Sequence, residues 1–188
     1  MTVEYLDAKR VQGSSVGSNT TNTITADTGE EEAMAVSSPD INGISQRFQT
    51  DYELIGKTIL SFTVNVRSTG SPTGNITAKL ITSGDVEKAV YGTLDSSTLD
   101  GTFATKTFTL TSITTTNVMV ADDRLAFYWT PAGTSTPTVR LQMCSSCDIS
   151  NTNEAYLQSS WNDRSGSGSS LTMTVTYEGG SPDKATLV

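Results

Sequence analysis

The sequence predicts an all-β protein, an antiparallel two-sheet sandwich preceded by a polar N-terminal arm, and three observations carry the prediction. Apolar and polar residues alternate one by one over several short runs, the period of a half-buried strand. Clusters of Gly, Pro, Asn, Asp and Ser separate those runs at regular intervals, as in sandwiches and barrels. Ser and Thr supply about 30% of the 188 residues, against 35% hydrophobic and 17% charged residues. Thr is β-branched and sits well on the wet face of a sheet, and strong helix formers are sparse.

Taken in order, the first 40 residues are polar and weakly patterned, with Gly, Ser, Asn and Thr clusters. Residues 1–43 therefore read as an arm and loop-rich opening, and residues 44–188 as the sandwich body, one domain in all. Within the arm, Thr2 to Leu6 and Thr21 to Thr25 fit short strands, and Glu30, Glu31 and Glu32 read as a solvated charge cluster. The clearest strand follows: Leu60, Phe62, Val64 and Val66 alternate with Ser61, Thr63, Asn65 and Arg67. A Gly-Ser-Pro-Thr-Gly turn at 70–74 leads to Ile76, Ala78 and Leu80, so residues 58–82 read as a hairpin.

Further alternations run through Ala104, Lys106, Phe108 and Leu110, through Leu125, Phe127 and Trp129, through Val139, Leu141 and Met143, and through Leu171, Met173, Val175 and Tyr177. The segment from Ser83 to Leu99 is the one with room for a helical turn or two. Leu60, Phe62, Val64, Leu125, Phe127, Val139, Leu141 and Val175 are the expected core, with Trp129 on the same face as Leu125 and Phe127.

Composition excludes several function classes. The chain carries 12 basic and 20 acidic residues, a net charge of −8, which repels phosphate backbones and anionic lipid; nucleic acid is not an expected partner. No apolar run approaches the ~20 residues of a membrane span. No basic stretch followed by an apolar run opens the chain, so a signal was either removed or never needed. Histidine is absent. That rules out Ser-His-Asp and Cys-His catalysis, which need an imidazole to take the nucleophile's proton. Ser-Lys or two-carboxylate chemistry stays formally open, the latter at Asp122 with Asp123, Asp95 with Asp100, or Asp148 with Glu154. Adjacent Asp122 and Asp123 stand where a turn needs them, and no enzyme is expected.

Cys144 and Cys147 form a C-x-x-C with no histidine to complete a mixed zinc site. A reduced structural pair, a short-loop disulfide and a redox or metal pair stay open, in that order of expectation. No cofactor is required. Calcium is the one that sandwich loops suit, and Asp148, Asn151, Asn153 and Glu154 are the densest set of oxygen donors, though each also fits a turn or cap. Trp161 and Tyr156 are the candidates for stacking on a sugar ring, with a packing role the simpler reading for Trp161. Asn19 and Asn75 stand in Asn-x-Thr glycosylation patterns.

The stretch SQRFQTDYELIGKTILSFTVNVRSTGSPTGNITAKL, followed by YGTLDSSTL and TKTFTLTS, resembles jelly-roll sandwich modules of secreted bacterial and archaeal surface proteins and of virion structural proteins. The opening YLDAKRVQGSS resembles the start of structural proteins of marine archaea and their viruses. The resemblance spans about residues 44–178. It implies a jelly roll used for adhesion, carbohydrate binding or assembly, and transfers no catalytic residue.

These readings converge on a non-enzymatic structural subunit of an extracellular or virion-surface assembly, such as a capsid, decoration, fibre or filament protein, a homo-oligomer joined through the arm and sheet edges. The rival is a carbohydrate-binding or adhesion module that engages cell-surface or virion glycans, with calcium as a possible cofactor. The expected location is the virion surface or the extracellular space.

Overall fold

In the computed structural model, residues 19–24, 30–35, 42–132, 137–144, 152–157, 161–163 and 170–179 are described. Their strands are β1 (Asn19–Ile24), β2 (Glu30–Ala35), β3 (Gly43–Phe48), β4 (Ile59–Thr69), β5 (Gly74–Ile81), β6 (Glu87–Asp95) and β7 (Ala104–Thr109), then β8 (Ser112–Ile113), β9 (Arg124–Pro131), β10 (Thr138–Cys144), β11 (Thr152–Leu157), β12 (Trp161–Asp163), β13 (Ser170–Leu171) and β14 (Met173–Glu178). Every pairing among them is antiparallel.

Two sheets face each other. In the first, β2 pairs with β10, β10 with β4, and β4 with β7; β14 lies beside β4 along its other half and carries β1 on its far side, while β13 pairs alongside the end of β10 at Met143 and Cys144. The second sheet runs β12-β11-β3-β9-β5-β6-β8. Eight of these strands give two four-stranded sheets, β2-β10-β4-β7 and β3-β9-β5-β6, with the chain passing between them. That is the order of a jelly roll.

The core lies between the sheets and centres on Phe62. Its ring is 4.9 Å from Tyr91 and 5.6 Å, edge-on, from Phe127, while Phe108 meets Phe127 edge to face at 5.5 Å. Tyr91 is buried with its hydroxyl donated to the Ile59 carbonyl at 3.0 Å, and burial raises its pKa. Phe62, Val64, Leu125, Phe127, Val139, Leu141 and Val175 are all buried as expected, and Trp129 with them.

Four sequence readings are corrected. Leu60 is half-buried, because a bulge opposite Thr176 and Tyr177 skips it and turns Ile59 into the core in its place. Residues 58–82 are not a hairpin: β4 belongs to the first sheet and β5 to the second, so the 70–74 turn carries the chain across the sandwich. Gly74 makes that crossing possible. Its φ is +95°, and a Cβ there would stand 2.0 Å from the Thr130 carbonyl oxygen.

Along β7 only Phe108 of the expected inward set is buried; Ala104 is exposed and Lys106 and Leu110 are half-buried, since this strand ends its sheet. The segment from Ser83 to Leu99, read as having room for a helical turn or two, holds β6 and one 3-10 turn, at Ser96–Thr98 and capped by Asp95. Glu30 to Glu32 is a strand rather than a loose cluster, and β2 is the first strand of the jelly roll although it falls within the stretch read as arm. Met34 from β2 is fully buried in the core. Thr21 to Ile24 does form strand, as part of β1; Thr2 to Leu6 lies outside the described residues.

Candidate functional site

The strands that the arm contributes are seated by main-chain ladders and a few side-chain anchors. β1 runs along β14 from Asn19 opposite Glu178 to Ile24 opposite Met173. Asn22 donates to Glu53 and accepts from the Tyr52 hydroxyl at 3.0 Å. β2 runs along β10 from Glu30 opposite Met143 to Ala35 opposite Thr138.

The register of β4 on β10 sets Arg67 directly opposite Arg140. Like charges in that position repel. Glu31 lies between them: Arg67 donates to it through Nε at 2.8 Å and Nη2 at 2.9 Å, and Arg140 donates through Nη1. The bidentate fork from Arg67, followed by the field of Arg140, outweighs burial and holds the Glu31 carboxyl below the usual carboxylate range. Arg67 also donates to the Gly101 carbonyl at 3.2 Å and lies 5.2 Å over the Phe103 ring. A carboxylate on the arm thus closes a cationic pair on the body.

A second cluster lies on the outward side of the second sheet. Trp161 on β12 donates its indole N–H to Asp85 at 3.1 Å, and the Tyr128 hydroxyl donates to the same carboxylate. The two rings meet edge to face at 5.7 Å. Arg124 lies 5.6 Å over Trp161, and Lys79 lies 5.3 Å over Tyr128 while pairing with Glu87 at 2.9 Å. Burial, reinforced by the negative charge of Asp85, raises the Tyr128 pKa. Gly43 explains the contact: the register places it between Tyr128 and the β11–β12 pair, where it adds no side chain. Trp161 is half-buried, with its N–H occupied and the Arg124 guanidinium over its ring. Tyr156 stands opposite Ile44 in the ladder, and its side chain lies outside the described residues.

Asp148 and Asn151 lie outside the described residues, as do the side chains of Asn153 and Glu154, whose backbones pair with Arg47 and Gln46 on β3. Among the described residues no three His, Cys, Asp or Glu side chains gather where a metal could bind. Asn19 and Asn75 are both exposed. Cys144 is disulfide-bonded, and Cys147 is the other cysteine of the chain, so the favoured reading of a reduced pair is corrected.

The carboxylate pairs are engaged in local structure. Asp122 takes a left-handed φ of 71° and accepts from Arg47 at 2.6 Å. Asp123 is buried and accepts from Lys88 and from the Val120 N–H at 2.8 Å, while Lys88 also donates to the Val118 carbonyl at 2.8 Å. Asp95 accepts from the Ser97 hydroxyl and N–H, which lower its pKa, and Asp100 accepts from the Thr102 N–H. Sequence reasoning missed Glu31 and Lys88. Their partners lie 36 and 109 residues away for Glu31 and 35 for Lys88, and no local pattern encodes such separations.

The strand order defines a jelly-roll sandwich in which Glu31 joins β2 to Arg67 and Arg140, and Asp123 pairs with the buried Lys88. No family model and no curated protein matches the chain. Among solved structures, a chain of "Structure of infectious bursal disease virus Gx strain" aligns at 13% identity and a TM-score of 0.35, covering 85% of this chain and 39% of that one. The chain spans about two fifths of that protein's length, and a likeness of this degree carries no argument about function.

Proposed function

We propose that the protein is a non-enzymatic structural subunit of an extracellular or virion-surface assembly, a capsid, decoration, fibre or filament protein whose copies associate through the N-terminal arm and the sheet edges. The observation that carries this reading is the seating of β1 and β2. Both are added in full antiparallel register to strands from the far end of the chain, β14 and β10, and a single carboxylate, Glu31, joins β2 to the arginine pair. Strand addition of this kind works equally well within a chain and between chains, since the main-chain bonds are the same. The bridged Cys144 supports an oxidising location outside the cytosol.

Electron microscopy of the purified full chain tests the reading. Rings, tubes, shells or filaments are the expected outcome, and a monomer at every concentration would overturn it. The second reading, a carbohydrate-binding or adhesion module, is favoured by one observation, the Trp161–Tyr128 cluster with its cations and carboxylate. It predicts a glycan-array signal lost in Trp161→Ala.

A further inference from the structure

The first sheet ends on β7, whose strand partner among the described residues is β4. The Leu110 N–H bonds to the Leu60 carbonyl at 3.0 Å, and Phe108 stands opposite Phe62. Antiparallel ladders alternate, so the N–H and C=O groups of Thr105, Thr107 and Thr109 point away from β4. Beyond them, the Thr111 N–H bonds to Val90 at 2.8 Å, where the chain leaves for the second sheet.

A row of outward backbone groups is a template for another strand, and edges are ordinarily guarded by proline, bulges or charge. This one is lightly guarded. Residues 104–116 read ATKTFTLTSITTT, without Pro, Gly or any acidic residue, and with Lys106 as their one charge. Such β-branched, low-charge stretches are strong strand-pairing sequences. In a chain of net charge −8, this stretch brings no acidic residue against a second copy.

We propose that β7 pairs with β7 of a second copy, antiparallel about a twofold axis through Thr107, joining two first sheets into one. The inference rests on the assembly reading above and names the edge through which assembly is made. The outward groups centre on Thr107, so the axis places Thr107 opposite the partner's Thr107 and Thr105 opposite the partner's Thr109. The same register sets Lys106 opposite the partner's Phe108, which keeps the two lysines out of direct opposition.

Sedimentation of the full chain and cysteine trapping test this together. Thr107→Pro removes an N–H that the ladder to β4 does not use, so folding should persist while the dimer dissociation constant rises tenfold or more. Thr107→Cys should form a covalent dimer on mild oxidation, because directly opposed residues lie within disulfide reach; Thr105→Cys alone should not. Should Thr107→Pro fail to fold, the cysteine pair decides alone. Assemblies that survive Thr107→Pro, or that trap equally through Thr105→Cys, overturn the edge assignment and leave the assembly reading standing. A wild-type chain that is monomeric at all concentrations overturns both.

Discussion

Glu31 links arm and body through charge, and its environment sets a pH signature. Its carboxyl titrates below its ordinary value in the folded chain because Arg67 and Arg140 hold the charged form. The stabilisation is therefore complete above the ordinary Glu pKa, about 4.3, and is lost as pH falls through the lower folded value. Glu31→Gln should flatten the acid limb of a stability-versus-pH curve measured by thermal melts, and a limb unchanged by the substitution would refute the assignment. At neutral pH, Glu31→Ala should cost about 1–2 kcal/mol, since it leaves two arginines facing each other in a half-exposed setting. Lys88 and Asp123 are more deeply placed, with 6% and 2% side-chain exposure. Asp123→Ala strands a buried ammonium, so denaturant unfolding should show a loss of about 3–5 kcal/mol, with Lys88→Met restoring part of it in the double variant.

At the level of elements, the alternating runs were legible because each has one apolar face: β4 from Phe62 onward, β9, β10 and β14 all follow the pattern read from their residues. What alternation cannot convey is the choice of partner. β4 and β5 look like a hairpin because a Gly-Ser-Pro-Thr-Gly turn joins them, yet Gly74 packs against the Thr130 carbonyl and commits β5 to the other sheet. Gly74→Ala should therefore destabilise by more than about 1 kcal/mol, through both its positive φ and the lack of room, as chemical denaturation would measure. β2 was hidden for a different reason. Three glutamates in succession score poorly as strand formers, and only Met34 marks its inner face. The candidate site shared that fate, since Glu31 is informative only once Arg67 and Arg140 are known to be neighbours. Trp161, by contrast, was legible from its residue type as a candidate for stacking. The structure places it in a cluster of aromatic and charged groups that sequence could not assemble, because Asp85 lies 76 residues away. A Cys144→Ser, Cys147→Ser double variant should still assemble under the electron microscope.

For the whole molecule, removing residues 1–40 deletes β1, β2, the buried Met34 and the Glu31 anchor. Truncating a buried methionine alone costs about 2–5 kcal/mol, so the truncated chain should melt lower and associate less. A truncated chain that melts and assembles like the full chain would show that β2 is dispensable. One further consequence follows from the arginines that face each other across β4 and β10. Without β2 they form a small positive notch in the surface of a strongly acidic chain. Such a notch attracts an acidic segment over roughly a Debye length, about 8 Å at physiological salt. The Glu30–Glu32 run is then an address as well as an anchor: added salt should slow the reseating of a displaced β2, and a neutral strand of equal length should find the place more slowly than the native one.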